Sequence, residues 1–285
     1  MTDERRAAAH SDRYGRPPWL ERVGTRLGRL IGDGPLRRVV RRWYRRALGL
    51  VTGGGPRSVL PHGEVVRIAP AFRFMTWNPV EYEAFRSVLR PGDAALDVGA
   101  NVGAYAILFG QWTGDGGRVL AFEPAPAAFE GLRQHIVLNG LEACVRPMQV
   151  AVSDAIGEAE FVSEGVQGTN HLGNAAGGKA SAVIRVPTTT IDEICGREGL
   201  QPRLIKIDVE GAEMAVLRGA RATIAAMGRD AGIFVEMHPA AWRTMGLSVD
   251  DMLAELATQG LRAVPLREVS DPWALDGECM RLVRD

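Results

Sequence analysis

The chain has 285 residues, of which 46% are hydrophobic and 24% charged, so it has enough apolar residues for the core of a globular domain. Its formal net charge is zero, but residues 1–57 hold 14 arginines against five acidic residues, and the remainder holds 20 basic against 29 acidic residues. We therefore expect two regions with different roles.

The three cysteines are widely spaced, and no cluster of histidine, cysteine and aspartate has the spacing of a metal site. This pattern favours a reducing compartment and no bound metal. No apolar run reaches about 18 residues, and the polar start differs from a signal peptide. We expect a cytoplasmic protein without a membrane-spanning helix.

Residues 1–57 are predicted to form a basic N-terminal extension with two short amphipathic helices between residues 17 and 50. The second helix carries six arginines opposite an apolar face formed by Leu36, Val39, Val40, Trp43, Tyr44, Ala47 and Leu48. Three interpretations stay open: packing on the following domain, peripheral contact with an anionic membrane surface, and binding of an acidic partner. No basic groove with interleaved aromatic residues is present, so we expect no nucleic acid.

Residues 58–285 are predicted to form a second domain of alternating strands and helices. A hairpin is predicted over residues 64–68 and 72–77, and a helix over 79–89. The further predicted strands are 94–98, 118–122, 145–152, 204–207, 233–237, 261–266 and 280–283, and the helices are 104–112, 125–139, 212–226 and 248–259. Residues 163–182 are predicted to form a mobile surface loop. The alternation predicts an α/β fold with a doubly wound, mostly parallel sheet.

A glycine-rich turn follows the strand at residues 94–98. Residues 97–103 read Asp-Val-Gly-Ala-Asn-Val-Gly, and the glycines let a ligand approach the backbone at the start of the next helix. The dinucleotide-binding fingerprint would need glycine where the chain has Asn101 and Ala104. An ordinary strand-to-helix turn is the alternative.

Acidic residues or a histidine follow the ends of the five central predicted strands. They are Asp97, Glu123, Asp154, Asp208, Glu210, Glu236 and His238, with Ser153 beside Asp154. Ligands of doubly wound sheets bind beyond the carboxyl ends of the strands, so at least six of these titratable side chains are predicted to face one crevice. Glu123 follows Gly103 by 20 residues, the separation typical of a carboxylate that binds ribose hydroxyls. Capping of the next helix is the alternative role for Asp208, Glu210 and Glu213.

Six segments occur in an order that resembles the FkbM family of S-adenosylmethionine-dependent methyltransferases. They are residues 97–103, 122–124 with 138–140, 151–154, 205–211 and 213–219. The similarity covers about residues 60–266 and is most specific in the Lys-Ile-Asp-Val-Glu-Gly segment at 206–211. It implies a Rossmann-like fold of the class I methyltransferase type and S-adenosyl-L-methionine as cofactor. It also implies O-methylation of a hydroxyl on a small molecule, sugar or glycolipid.

The resemblance also implies a set of cofactor-binding residues. They are Asp97, Gly99, Asn101, Gly103, Glu123, Ser153 and Asp154. Asp97 is expected near the methionine ammonium group, Glu123 at both ribose hydroxyls, and Asp154 at the adenine amino group.

A hydroxyl is a weak nucleophile, so a general base is expected near it. The candidates are His238, Asp208 and Glu210, and His238 titrates closest to neutrality. A capping or core role is the alternative for His238. Lys206 precedes Asp208 by two residues, which predicts a structural ion pair with Asp208 or with a carboxylate of a neighbouring strand.

Three competing functions stay open. An NAD(P)-dependent oxidoreductase shares this kind of sheet, but the glycine spacing disagrees with it. A nucleic-acid methyltransferase is discounted, because residues 207–211 lack the Asn/Asp-Pro-Pro-aromatic segment of base-modifying enzymes. The third is a non-catalytic cofactor-binding protein that docks on a membrane or partner through its basic extension.

Overall fold

The computed structural model describes residues 54–163, 171–172 and 182–284, together with Trp43. The two predicted amphipathic helices lie outside the described residues, except for Trp43, which is 66% exposed. The predicted domain boundary between residues 57 and 58 stays a prediction. Within the described residues, no helix is both long enough and apolar enough to span a membrane.

The strands and helices alternate along most of the described chain. The strands are β1 (Arg57–Val59), β2 (Val65–Arg67), β3 (Ala94–Val98), β4 (Arg118–Phe122), β5 (Val145–Met148), β6 (Ala151–Val152), β7 (Gly157–Ser163), β8 (His171–Leu172), β9 (Ala182–Thr189), β10 (Leu204–Ile207), β11 (Gly232–Met237), β12 (Leu261–Pro265) and β13 (Glu278–Arg284). The helices are α1 (Pro79–Val88), α2 (Ala104–Thr113), α3 (Pro126–Leu138), α4 (Ile191–Glu198), α5 (Glu213–Arg218), α6 (Arg221–Ala226), α7 (Pro239–Thr244) and α8 (Val249–Thr258). Strands β3, β4 and β10 have the predicted bounds.

Seven strands form the main sheet in the order β12-β13-β11-β10-β3-β4-β5. Strands β5, β4, β3, β10 and β11 are parallel neighbours, and β13 runs antiparallel to both β11 and β12. The chain leaves β3 toward β4 and later returns on the other side of β3 as β10. The order therefore reverses between β3 and β10, the place where such sheets bind ligands. The predicted Rossmann-like α/β fold is confirmed.

Successive side chains of a strand point to opposite faces of the sheet. Both faces of this sheet are buried, because helices pack on each of them. On one face, Ala95 and Phe234 pack with side chains of α1, α2 and α3, including Phe85 and Phe109. On the other face, residues such as Leu96 pack with side chains of α4, α5, α6 and α8. Full burial of an aromatic or aliphatic side chain stabilises the fold by about 1.5–3 kcal/mol.

Local chemistry explains where several helices begin. Proline, whose fixed φ suits the first helical position, starts α1, α3 and α7. The Ser248 and Asp251 side chains form a reciprocal capping box at α8. At α4 the Thr190 side chain accepts a hydrogen bond from the backbone N–H of Glu193.

The structure corrects several predicted elements. The hairpin pairs β1 with β2, and residues 72–77 form no strand, because a 3-10 turn at Pro70–Phe72 redirects the chain. The predicted strand 145–152 divides into β5 and β6, and β6 joins a second sheet of order β6-β9-β7-β8. That sheet takes up the described part of the predicted surface loop. Helices α4 and α7 were not predicted, and the predicted helix 212–226 divides into α5 and α6 around Gly219, where a Cβ would lie 2.1 Å from the Ser153 carbonyl oxygen.

Candidate active site

A cleft opens at the carboxyl ends of β3, β4 and β10, where the strand order reverses. Its empty space, including space open to solvent, is about 620 Å³. Its lining residues are Val98, Gly99, Asn101, Phe122, Glu123, Pro124, Val150, Ala151, Val152, Phe161, Asp208, Val209 and Glu210. Four of the predicted site residues in this lining are polar or acidic side chains: Asn101, Glu123, Asp208 and Glu210.

The glycine turn after β3 brings two backbones into contact. Gly99 has φ of +79°, and a Cβ on it would lie 1.7 Å from the carbonyl oxygen of Asp208. Asn101 has φ of +49° and also lines the cleft. Gly103, with φ of +91°, precedes α2 and packs against Leu132, and it is not among the cleft-lining residues. Gly99 therefore shapes the cleft directly, and Gly103 shapes the turn that leads into α2.

Substitution of Gly99 by alanine is expected to destabilise the fold by more than about 2 kcal/mol, because a left-handed φ and a backbone clash act together. Urea unfolding of the purified protein measures this change. Gly196→Ala is the matched control, since Gly196 lies within α4 and nothing lies within 4 Å of its missing Cβ. That control is expected to be neutral or slightly stabilising. Equal stability of the two variants would contradict the close approach of Gly99 to Asp208.

Glu123 lies at the end of β4, almost fully buried at 5% exposure. Its carboxylate accepts hydrogen bonds from the backbone N–H groups of Asn101 and Ala125, each at 2.8 Å. Burial raises the pKa of Glu123 to about 7, against the lowering effect of these two hydrogen bonds. The two bonds fix the carboxylate at the cleft, and a second lone pair on each oxygen can accept a hydrogen bond from a ligand hydroxyl.

Lys206 occupies the centre of a buried group of carboxylates. Its Nζ lies 3.2 Å from Asp208 Oδ2 and 3.6 Å from Asp97 Oδ1, which confirms the predicted structural ion pair. Burial lowers the pKa of Lys206, but Asp208, Asp97, Glu236 and Glu81 outweigh it, so the pKa stands above its ordinary value. The Lys206 ammonium is therefore a permanent cation of this part of the sheet.

Asp97 lies behind the cleft, beside Lys206. Its side chain is 1% exposed and does not line the cleft. Neither carboxylate oxygen has a hydrogen-bond partner among the described residues, although Lys206 Nζ lies within ion-pair distance. Burial raises the pKa of Asp97, and Lys206 opposes that rise. The predicted contact of Asp97 with a cofactor ammonium group stays a prediction.

His238 follows β11 and is buried against Glu213. Its Nδ1 lies 2.7 Å from Glu213 Oε1, and its Nε2 lies 3.5 Å from Glu210 Oε2 and 3.7 Å from Glu236 Oε1. Burial lowers the pKa of His238, but the hydrogen bond to Glu213 and the charges of Glu213, Asp208 and Glu210 raise it to about 9. His238 thus lies beside Glu210 and close to Asp208, which both line the cleft, although His238 itself does not.

Glu236 is a further carboxyl group close to His238 Nε2. Burial and the carboxylates of Asp208 and Glu81 raise the pKa of Glu236, against the lowering effect of Lys206 and His238. Donor atoms of Asp208, Glu236 and His238 lie within 4.8 Å of one another, close enough to contact one cation. However, Asp208 already pairs with Lys206. The absence of a bound metal stays a prediction.

Ser153 and Asp154, the residues expected at the adenine, lie outside the cleft lining. Asp154 is exposed, and Ser153 Oγ donates to Asp154 Oδ1 at 3.3 Å. Neither residue is among those that line the cleft, where Val152 and Phe161 form an apolar wall. The role of Ser153 and Asp154 in cofactor binding stays a prediction. Phe161 was not identified as a site residue from the sequence, because strand β7 was not predicted.

Comparison with known proteins identifies the family of this chain. The family model described as the methyltransferase FkbM domain matches residues 97–263, which is more than half of the 285 residues. Two curated relatives match shorter segments. One is the 31-O-demethyl-FK506 methyltransferase FkbM of Streptomyces tacrolimicus, 46% identical over 69 residues, 24% of this chain and 25% of that protein. The other is the hexuronic acid methyltransferase AglP of Haloferax volcanii, 26% identical over 149 residues, 51% of this chain and 56% of that protein.

The matched segments therefore span a quarter and just over half of these relatives. Among solved structures, a methyltransferase FkbM from Methylobacillus flagellatus is similar over 70% of this chain and 50% of its own, with 17% identity and a TM-score of 0.43. The family match covers the glycine turn, Glu123, the segment with Asp208 and Glu210, and His238. This chain belongs to the FkbM family of methyltransferases.

Proposed function

We propose that this protein uses S-adenosyl-L-methionine to methylate a hydroxyl group of a small molecule, sugar or glycolipid. The observation that carries the proposal is the pair of His238 Nδ1 and Glu213 Oε1, 2.7 Å apart, with His238 Nε2 beside Glu210 of the cleft lining. An oxygen nucleophile needs to lose its proton, and a carboxylate-held imidazole is suited to take it.

The cleft residues fit the cofactor that the family implies. Glu123 offers two fixed carboxylate oxygens to ribose hydroxyls, and Val152 with Phe161 offers an apolar wall to an adenine ring. Gly99 lines the cleft without a side chain, and the methionine moiety of the cofactor would be held at this turn. When bound, S-adenosyl-L-methionine supplies an electrophilic methyl group on a cationic sulfur. The carboxylates of Asp208 and Glu210 favour such a cation electrostatically.

In the proposed reaction, Nε2 of His238 takes the proton of the acceptor hydroxyl. Glu210 and Asp208 stabilise the resulting imidazolium, since both carboxylates already raise the pKa of His238. The chain also contributes by holding the acceptor in place and excluding water. The names of the two curated relatives, which refer to a demethylated FK506 and a hexuronic acid, support a hydroxyl-bearing acceptor of the polyketide or sugar kind.

Calorimetric titration of S-adenosylhomocysteine and of NADH into the full chain tests the cofactor. Binding of S-adenosylhomocysteine alone supports the proposal, and binding of NADH alone would favour the oxidoreductase. Transfer of a radiolabelled methyl group to a panel of polyketides, sugars and glycolipids then identifies the acceptor. Cofactor binding without transfer to any of them would favour the non-catalytic alternative.

We further propose that residues 17–50 attach the protein peripherally to anionic membranes in the cytoplasm. The alternation of arginines and apolar residues in the sequence supports this, as does the exposure of Trp43. Deletion of residues 1–55 is expected to abolish co-sedimentation with phosphatidylglycerol vesicles while methyl transfer to a soluble acceptor is retained. Phosphatidylcholine vesicles are the control, since they lack the anionic charge. Equal sedimentation with and without the extension would contradict the attachment.

A further inference from the structure

We infer that Glu213 is a positioning residue, which orients His238 and holds the turn that carries Glu210 so that the two face the same acceptor hydroxyl. The inference rests on the proposed function, in which His238 takes the proton. Glu213 is fully buried at 0% exposure and lies at the start of α5. It does not line the cleft, so it would act through the residues that it holds.

The Glu213 carboxylate binds three N–H donors, one from the turn after β10 and two from the segment that runs from the end of β11 into α7. Oε1 accepts from the backbone N–H of Gly211 at 2.8 Å and from Nδ1 of His238 at 2.7 Å. Oε2 accepts from Nε1 of Trp242 at 2.6 Å. Gly211 follows β10, whereas His238 and Trp242 follow β11. One carboxylate therefore ties together the two turns that carry the candidate catalytic groups.

This arrangement fixes which nitrogen of His238 carries the proton. An ionised carboxylate can only accept hydrogen bonds, so Nδ1 must be the donor toward Glu213. In the neutral imidazole the lone pair is then on Nε2, the nitrogen that faces Glu210 and Glu236. The ring thus presents its basic nitrogen to Glu210, which lines the cleft.

The second effect of Glu213 is on the turn after β10. Glu210 has φ of +51°, a conformation that costs free energy for a residue with a Cβ, and Gly211 has φ of +114°. The hydrogen bond from Gly211 to Glu213 helps to hold this turn, with Glu210 Oε2 at 3.5 Å from His238 Nε2. Burying a carboxylate is costly, and the hydrogen bonds from Gly211, His238 and Trp242 offset part of that cost. A purely structural position could be filled by an apolar side chain.

Several charged groups face His238 and set its titration. Glu213 lies on α5, Asp208 and Glu210 on the turn after β10, and Glu236 on β11. Lys206 faces Asp208, and Asp276 faces Glu210. Removing the charge of Glu213 should lower the pKa of His238 toward 6.5, because the contact at 2.7 Å is the shortest of these.

The test is an NMR pH titration of the histidine ring signals of the full chain. The signal that is absent in His238→Gln is assigned to His238. In the parent protein we expect the Nδ1–H tautomer above about pH 9, where the ring is neutral, and in Glu213→Gln a pKa of His238 lower by about 1–3 units. Trp242→Phe, which removes one donor and leaves the Glu213–His238 bond, is expected to keep the parent pKa. Glu213→Asp keeps the charge and is expected to restore part of the shift.

An unchanged tautomer and pKa in a folded Glu213→Gln variant would overturn the inference. If that variant does not fold, Glu213→Asp and Trp242→Phe test the role of Glu213. A pKa of His238 that Glu213→Asp leaves unchanged and Trp242→Phe lowers would assign the role to Trp242 instead. Calorimetry with S-adenosylhomocysteine separates the two proposals. A parent protein that shows the expected titration but binds no S-adenosylhomocysteine would contradict the proposed function and leave the orienting role of Glu213 intact.

Discussion

Substitution of Glu123 by alanine is expected to weaken the binding of S-adenosylhomocysteine by about 100-fold or more. Each hydrogen bond from a ribose hydroxyl to a carboxylate is worth about 1.5–3 kcal/mol, and two such bonds account for this loss. The variant also leaves the backbone N–H groups of Asn101 and Ala125 without their acceptor. Isothermal titration calorimetry at pH 8 measures the change directly.

Glu130→Ala is the matched control, because Glu130 lies on α3 with a side chain that is 72% exposed. It should bind S-adenosylhomocysteine as the parent does. Glu123→Gln, which keeps one acceptor oxygen, is expected to fall between the parent and Glu123→Ala. If Glu123→Ala bound S-adenosylhomocysteine with full affinity, Glu123 would not bind the ribose, and the proposed orientation of the cofactor would be wrong.

The affinity of the parent protein should also depend on pH. With a pKa of about 7, Glu123 is increasingly protonated as the pH falls below neutrality. Hydroxyl donors bind the ionised carboxylate best, so affinity should rise from pH 6 to pH 8 and level off above it. In Glu123→Gln this dependence should disappear, and a persisting dependence would assign it to another group.

Replacement of His238 by glutamine is expected to lower methyl transfer by about 10²–10⁴-fold, the usual contribution of a general base. Affinity for S-adenosylhomocysteine should stay nearly unchanged, because His238 does not line the described cleft. Single-turnover transfer from radiolabelled S-adenosyl-L-methionine to the identified acceptor measures the first quantity and calorimetry the second. A parallel loss of both would indicate a structural role.

His62→Gln is the control for this substitution, since His62 lies between β1 and β2 and pairs with the exposed Glu83. It should leave both quantities unchanged. The pKa of His238 is about 9, so the fraction of neutral imidazole grows as the pH rises toward that value. The rate should therefore increase with pH and level off above about 9. Turnover in His238→Gln equal to that of the parent would reject His238 as the base.

The order of strands and helices could be predicted because it depends on local patterns. The bounds of β3, β4 and β10 could be predicted from short apolar runs between turn residues. The glycine turn marked the end of β3. The rule that ligands bind beyond strand ends predicted that at least six titratable side chains face one crevice. Of these, Glu123, Asp208 and Glu210 line the cleft, whereas Asp97, Asp154, Glu236 and His238 do not. The Lys206 ion pair followed from the alternation of side chains along one strand.

The small sheet and the orientation of the site residues depend on contacts between distant segments. Strand β6 pairs with β9, about 35 residues later, and no local pattern encodes such a partner. The same holds for Asp154, which the chain turns toward solvent after β6.

The sequence by itself therefore determined the family, the alternating α/β architecture and which strand ends carry acidic groups. These properties depend on residue type and spacing, which are visible along the chain. Only the tertiary structure decided that Glu213 joins His238, 25 residues away, and that Asp97 lies buried beside Lys206 behind the cleft. The physical reason is that burial and hydrogen-bond geometry arise when separate loops pack at one edge of the sheet.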